Sequence, residues 1–332
     1  MNRRDFLSIA GALAAAPMPA AAALTAARAD GAIKALILVD FNGGNDGLNT
    51  VIPIADERYR ALRPTLHIPR DRALRLDDRT GLHPSLRPLM PAWNAGEWAI
   101  VQGVGYAQPS RSHYRSQQIW NTASDADDYR REGWLARSIA LRMHTFGTAE
   151  AGPFPAGVDA SQLHLPFDMR SFAASCEAAA RAVHASRAQK GVTVIRLALN
   201  GFDTHEHQAA RHASLLAQFA DGIASLRETL TASGEWRRTL VMTRSEFGRS
   251  AHENDARGTD HGAGAPHFLL GGAVRGGLFG DAPKLDQLDA DGGVPASVDF
   301  RRLCATVLDA CWSVASAPVI GRSFEPLPFV RV

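Results

Sequence analysis

Five short apolar runs, at residues 35–40, 98–104, 192–199, 239–243 and 267–270, alternate with segments of helical periodicity, and this alternation limits the fold more than any other feature. The runs lack a strict apolar–polar alternation, which fits strands buried on both faces. Between them, Leu215, Leu216, Phe219, Ile223, Leu226 and Leu230 fall on one face of a helix expected over 208–231. Weaker helical patterns cover 85–95, 171–189 and 300–311. The pattern predicts an α/β protein whose central sheet is mostly parallel, with helices on both faces. Segments 147–170 and 281–295, rich in Gly, Pro and polar residues, read as surface excursions.

Composition removes several function classes. The chain has 332 residues, 45% hydrophobic and 21% charged, which excludes a disordered, collagen-like or disulfide-stapled protein. Its 36 basic and 34 acidic residues are too evenly matched for a dedicated nucleic-acid binder. Cys304 and Cys311, seven apart in a helical pattern, would lie about 10 Å apart, too far for a disulfide.

The first residues read as an address. Asn2-Arg3-Arg4-Asp5-Phe6-Leu7, a mild apolar run and Ala27-Arg28-Ala29 have the order of a twin-arginine export signal over 1–29. A single domain over 30–332 would follow, with the twin-arginine translocase as a transient partner and the periplasm as destination. Removing Arg3, Arg4 and Arg28 with Asp5 takes the formal charge from +2 to 0. Elsewhere no window approaches the roughly 20 apolar residues of a membrane span, so none is expected in the mature chain.

The polar motifs fall at the ends of the expected strands. Gly43-Gly44-Asn45-Asp46-Gly47 follows the first, Ser110-Arg111-Ser112-His113 the second, Asp203-Thr204-His205-Glu206-His207 the third and Arg244-Ser245-Glu246-Phe247-Gly248-Arg249 the fourth. Gly258-Thr259-Asp260-His261-Gly262 precedes the fifth. Carboxyl ends of parallel strands share one edge, where sites are built. Asp203 with His205 and His207 suits Zn or Mn ligation, and Asp260-His261 is a second such pair. Asp46 reads equally as a helix cap, Glu246 as an acid at a helix start, and Ser112 as a cap or a nucleophile.

These segments, with Val101-Gln102-Gly103-Val104-Gly105-Tyr106 and Gly201-Phe202-Asp203-Thr204-His205, resemble the domain-of-unknown-function 1501 family along nearly the whole mature chain. That family is similar in architecture to the alkaline phosphatase and sulfatase superfamily. The resemblance implies Asp46 as a first metal carboxylate, with Asp40 as substitute, Ser112 as nucleophile, and Asp203, His205 or His207, and His261 as one metal site. Glu246 would join Asp46 in a second site, but Phe247 stands where a His would be expected. The implied cofactor is a divalent metal (Zn, Mn, Mg or Ca), one ion or two. The implied function is an exported, metal-dependent hydrolase of small phosphate or sulfate esters, with Arg111, Arg115 or Arg244 stabilising charge. Two competing expectations are a non-catalytic ligand- or partner-binding protein on the same fold, and a metal-free serine esterase using Gly43-Gly44-Asn45-Asp46 as an oxyanion block.

Overall fold

In the computed structural model, which describes residues 33–145, 171–188 and 191–331, the central sheet has seven strands. They are β1 (Ala35–Asn42), β5 (Trp98–Gly105), β6 (Thr193–Asn200), β7 (Thr239–Arg244), β8 (Ala265–Leu270), β9 (Gly277–Phe279) and β10 (Val298–Asp299). Their order is β10-β5-β8-β7-β1-β6, with β9 also on β5. A second, antiparallel sheet joins β2 (Val51–Ile52), β4 (Gly81–Leu82) and β3 (Leu74–Arg75). The expected signal at 1–29 and the excursion at 147–170 lie outside the described residues.

Direction matters more than order for the site. β1 pairs parallel with β6 and β7, and β5 pairs parallel with β9 and β10. Among the described residues only β8 is reversed, antiparallel to β5 and β7. The start of β8 therefore lies at the edge where the other strands end. A motif that precedes β8 in sequence meets motifs that follow β1, β5, β6 and β7.

Alternate side chains of β1 enter two separate cores. Leu36 and Leu38 join Trp120, Trp134, Phe300 and Leu303 on one face. Ala35, Ile37, Val39 and Phe41 join Phe172, Cys176, Phe219 and Ile223 on the other. Strands buried this way cannot alternate apolar with polar, which explains the continuous apolar runs. Helices cover both faces: α2 (His113–Thr122) and α5 (Arg301–Ala305) on the first, α3 (Phe172–Ser186) and α4 (Gln208–Ala232) on the second. A fifth labelled helix, α1 (Gly47–Thr50), is a single turn after β1.

The long helix expected over 208–231 is found almost to the residue. The segment expected over 85–95 divides into a 3-10 turn at Pro84–Leu89 and a short helix at Met90–Asn94. Pro88 and Pro91 cannot donate to a continuous ladder. The segment at 300–311 opens as α5 and widens into a π-helical turn over Thr306–Cys311. All three cysteines are free and buried, and burial pushes each thiol up to about 12. Among the described residues no helix is long and apolar enough to cross a membrane.

Candidate metal centre

Close backbone approach brings the loops of the site together. Gly43, at φ +119°, has no Cβ because one would lie 2.2 Å from the Asp203 amide nitrogen. A Cβ on Gly258 would lie 2.2 Å from the His205 carbonyl carbon. The glycines of both motifs thus let the β1 loop and the segment before β8 touch the loop after β6. Arg249 then ties all three. Its guanidinium, fully buried, donates to the carbonyls of Gly43, Gly44 (2.8 Å), Phe202 (3.0 Å) and Thr259 (2.9 Å), and to Asp203 Oδ1 at 2.5 Å.

At the centre of this edge, three imidazoles surround Asp203. The Nε2 atoms of His205 and His261 lie 3.0 and 3.2 Å from Asp203 Oδ1, and Nε2 of His113 lies 3.5 Å from Oδ2. His205 Nε2 and His261 Nε2 are 3.0 Å apart. The ligand atoms of His113, Asp203 and His261 all fall within 4.8 Å of one another. A tetrahedral centre with bonds of about 2.0–2.1 Å has ligand–ligand edges of about 3.3–3.4 Å, close to the 3.0–3.5 Å separations of the imidazoles from Asp203.

The outer nitrogens explain why the inner ones converge. His113 Nδ1 meets Glu246 Oε1 at 2.9 Å, His205 Nδ1 meets Asp260 Oδ1 at 3.2 Å, and His261 Nδ1 meets the Arg111 carbonyl at 2.9 Å. Each partner is an acceptor, so each Nδ1 carries a proton and each Nε2 is turned toward Asp203. Carboxylate and carbonyl partners of this kind orient metal-binding histidines. Asp203 pairs with the Arg249 guanidinium, whereas Glu246 and Asp260 pair with His113 and His205. Partial burial pushes the Asp203 carboxyl up, but hydrogen bonding to Arg249 and its charge, helped by His261 and His205, bring it down to about 2. Burial lowers His261, against its bonds to Arg111 and Asp203.

Phe247 packs against two of these imidazoles. Its ring centroid is 4.9 Å from that of His113 and 4.5 Å from that of His261. His113, which the sequence gives no site role, reaches the cluster from α2, held by the same Glu246 that precedes Phe247. Its signal was present in the sequence as the last residue of Ser110-Arg111-Ser112-His113, after the second strand.

Other expected site residues lie elsewhere or act differently. Asp46 does not join the cluster: its carboxylate is buried against Arg63 Nη1 (2.5 Å) and Gln208 Nε2 (2.5 Å), and it caps α1 through the Asn49 amide. Burial raises the Asp46 carboxyl, and the Arg63 charge outweighs this and holds it low. Asn45 and Thr50 bond each other, and Asn45 also meets His212 (2.9 Å), so the Asn45-Asp46 string serves a buried network. Glu246 Oε1 accepts from the Gly43 amide and from His113, and Asp46 lies against Arg63 and Gln208, so the two carboxylates do not share a site. His207 is exposed and forms the left-handed start of α4.

The arginines expected to hold substrate charge are engaged with protein. Arg111 pairs with Asp289 (2.8 Å) and Asp291. Arg115 binds the carbonyls of Asp125, Ala126 and Asp128 and stacks on Tyr129. Arg244 is paired with Asp40, which also meets Arg196. Ser112 is exposed and caps α2, its Oγ accepting from the Arg115 amide at 3.5 Å.

Among curated proteins, none matches the chain. Similar solved structures include the C-terminal periplasmic domain of EcEptC from Escherichia coli in complex with Zn, at 9% identity, 72% of this chain, 73% of that one and a TM-score of 0.42. A protein in the alkaline phosphatase superfamily from Vibrio parahaemolyticus is similar at 11% identity, 89% of this chain, 70% of that one and a TM-score of 0.44. Ps i-CgsB in complex with k-i-k-neocarrahexaose is similar at 13% identity, 89% of this chain, 73% of that one and a TM-score of 0.37. A family model of proteins of unknown function covers residues 146–316, and the chain belongs to that family, DUF1501.

Proposed function

We propose that this chain is a metal-dependent hydrolase whose single divalent cation is held by His113, Asp203 and His261, with His205 as a further ligand. One observation carries the reading: three Nε2 atoms turn toward one carboxylate while three oxygen acceptors hold the Nδ1 protons. Nitrogen and carboxylate donors together suit Zn or Mn better than Ca or Mg. Bound there, the cation supplies Lewis-acid polarisation of an ester oxygen.

The chain's own groups account for the rest. Glu246, Asp260 and the Arg111 carbonyl fix the imidazole tautomers. Arg249 keeps Asp203 ionised and locks its loop. Ser112 Oγ, exposed beside His113, is the proposed nucleophile: it would bond to the phosphorus or sulfur of a small ester as the bond to the alcohol breaks, its proton passing to the departing alkoxide, and water would then cleave the serine ester to release phosphate or sulfate. Export by the twin-arginine translocase to the periplasm belongs to the same proposal and rests on residues 1–29. The test is elemental analysis of the purified protein with an ester-hydrolysis panel: a bound divalent ion and a chelator-sensitive activity, both lost in His261→Ala, are expected. Folded protein that takes up no metal contradicts the proposal.

A second reading is favoured by the arginines. Arg111, Arg115 and Arg244 are all committed to protein partners, which leaves the cation to meet an anionic ester without them. A metal-bearing module that binds a ligand or partner without turnover fits that arrangement. Stoichiometric metal with no hydrolysis across the ester panel would select it.

A further inference from the structure

We propose that Phe247 is a positioning residue that sets how tightly the site holds its cation, by fixing the two imidazoles that reach it from separate loops. The inference rests on the metal reading above. The Phe247 ring tilts 44° to His113 and 33° to His261, and the two imidazoles meet each other at 4.6 Å between centroids, so the three rings pack as a triangle. Phe247 is 3% exposed, and a Cβ on Gly44 would lie 2.5 Å from its ring edge. Gly44 therefore leaves the space that the ring occupies, while Ser245 Oγ donates to the Phe247 carbonyl at 3.1 Å and anchors its backbone.

An imidazole held through its two nitrogens can still rock about the line that joins them. The shared face of Phe247 removes this freedom from His113 and His261 before a cation arrives, so less ordering remains to be done on binding. The apolar ring also keeps water from one side of the cluster, which strengthens attraction between Asp203 and a cation.

The test is titration of metal-free protein with Co²⁺, followed by ligand-field absorption in the visible, for wild type, Phe247→Ala, Phe247→Leu and Asp203→Asn. Phe247→Ala is expected to weaken Co²⁺ binding by about 10- to 100-fold and to alter the ligand-field band. Phe247→Leu, which keeps much of the buried volume, is expected to lose less affinity, and it carries the test if the alanine variant does not fold. Wild-type affinity and an unaltered band in the folded Phe247 variants, with binding lost in Asp203→Asn, overturn the role of Phe247 and leave the metal reading standing. Wild type that binds no Co²⁺ overturns both.

Discussion

His205 and His261 face each other through their Nε2 atoms at 3.0 Å, while the Nδ1 of each meets an oxygen acceptor. A cation bound by both nitrogens would join the loop after β6 to the segment before β8. Divalent metal should therefore stabilise the fold. At a hundredfold excess over Kd the gain is about 2.7 kcal/mol, read as a rise in Tm that a chelator reverses. A Tm indifferent to Zn²⁺, Mn²⁺ and chelator would count against the site.

Asp46 separates structural from ligand carboxylates. The Asp46–Arg63 pair is almost wholly buried, so Arg63→Ala should destabilise the fold by about 3–5 kcal/mol by leaving an uncompensated charge. Bound metal per folded chain should not change. Denaturant unfolding with elemental analysis checks both, and metal loss from folded Arg63→Ala protein would return Asp46 to the site.

Ser112 has a weak structural task and a strong proposed chemical one. Its capping bond is 3.5 Å long and exposed, so Ser112→Ala should cost only about 0.5 kcal/mol. Ester hydrolysis should fall by at least about 1,000-fold if the hydroxyl is the nucleophile, because no parallel group replaces it. Metal content should hold. Undiminished turnover in this variant would transfer the attack to water.

Acid sensitivity should begin well above the carboxylate range. Burial lowers His83 to about 4, with Arg72 adding and Asp46 opposing. Burial likewise lowers His212 to about 3 and His267 to about 4. Above their ordinary value of 6.5 these rings are neutral in both folded and unfolded chains, and they add no pH dependence. Below it the unfolded chain takes up protons that the folded chain refuses, so stability falls as pH drops from 6.5 toward 4. Tm measured on metal-free protein should be flat from pH 8 to about 7 and decline below about 6.5. A level Tm down to pH 4.5 would contradict this.

The sheet was legible because its strands are apolar on both faces, and α4 because its apolar stripe is long. The short strands β9 and β10 carry two or three residues each, too few for any periodicity. Asp203, His205 and His261 were legible as ligand types at strand ends. Asp46 misled because a capping carboxylate and a metal carboxylate look alike until Arg63, seventeen residues on, is seen against it. His113 was passed over because its partners Glu246 and Asp203 are distant in sequence. The reversal of β8, which carries His261 to the same edge, has no local sequence signal.

The central claim is one cation between these imidazoles and Asp203, and an anomalous-difference map from crystals of Zn²⁺- or Mn²⁺-loaded protein tests it most directly. The account predicts a single peak about 2.0–2.2 Å from Nε2 of His113 and His261 and from an Asp203 oxygen. A map with no peak there, or with its peak beside Asp46, would contradict it.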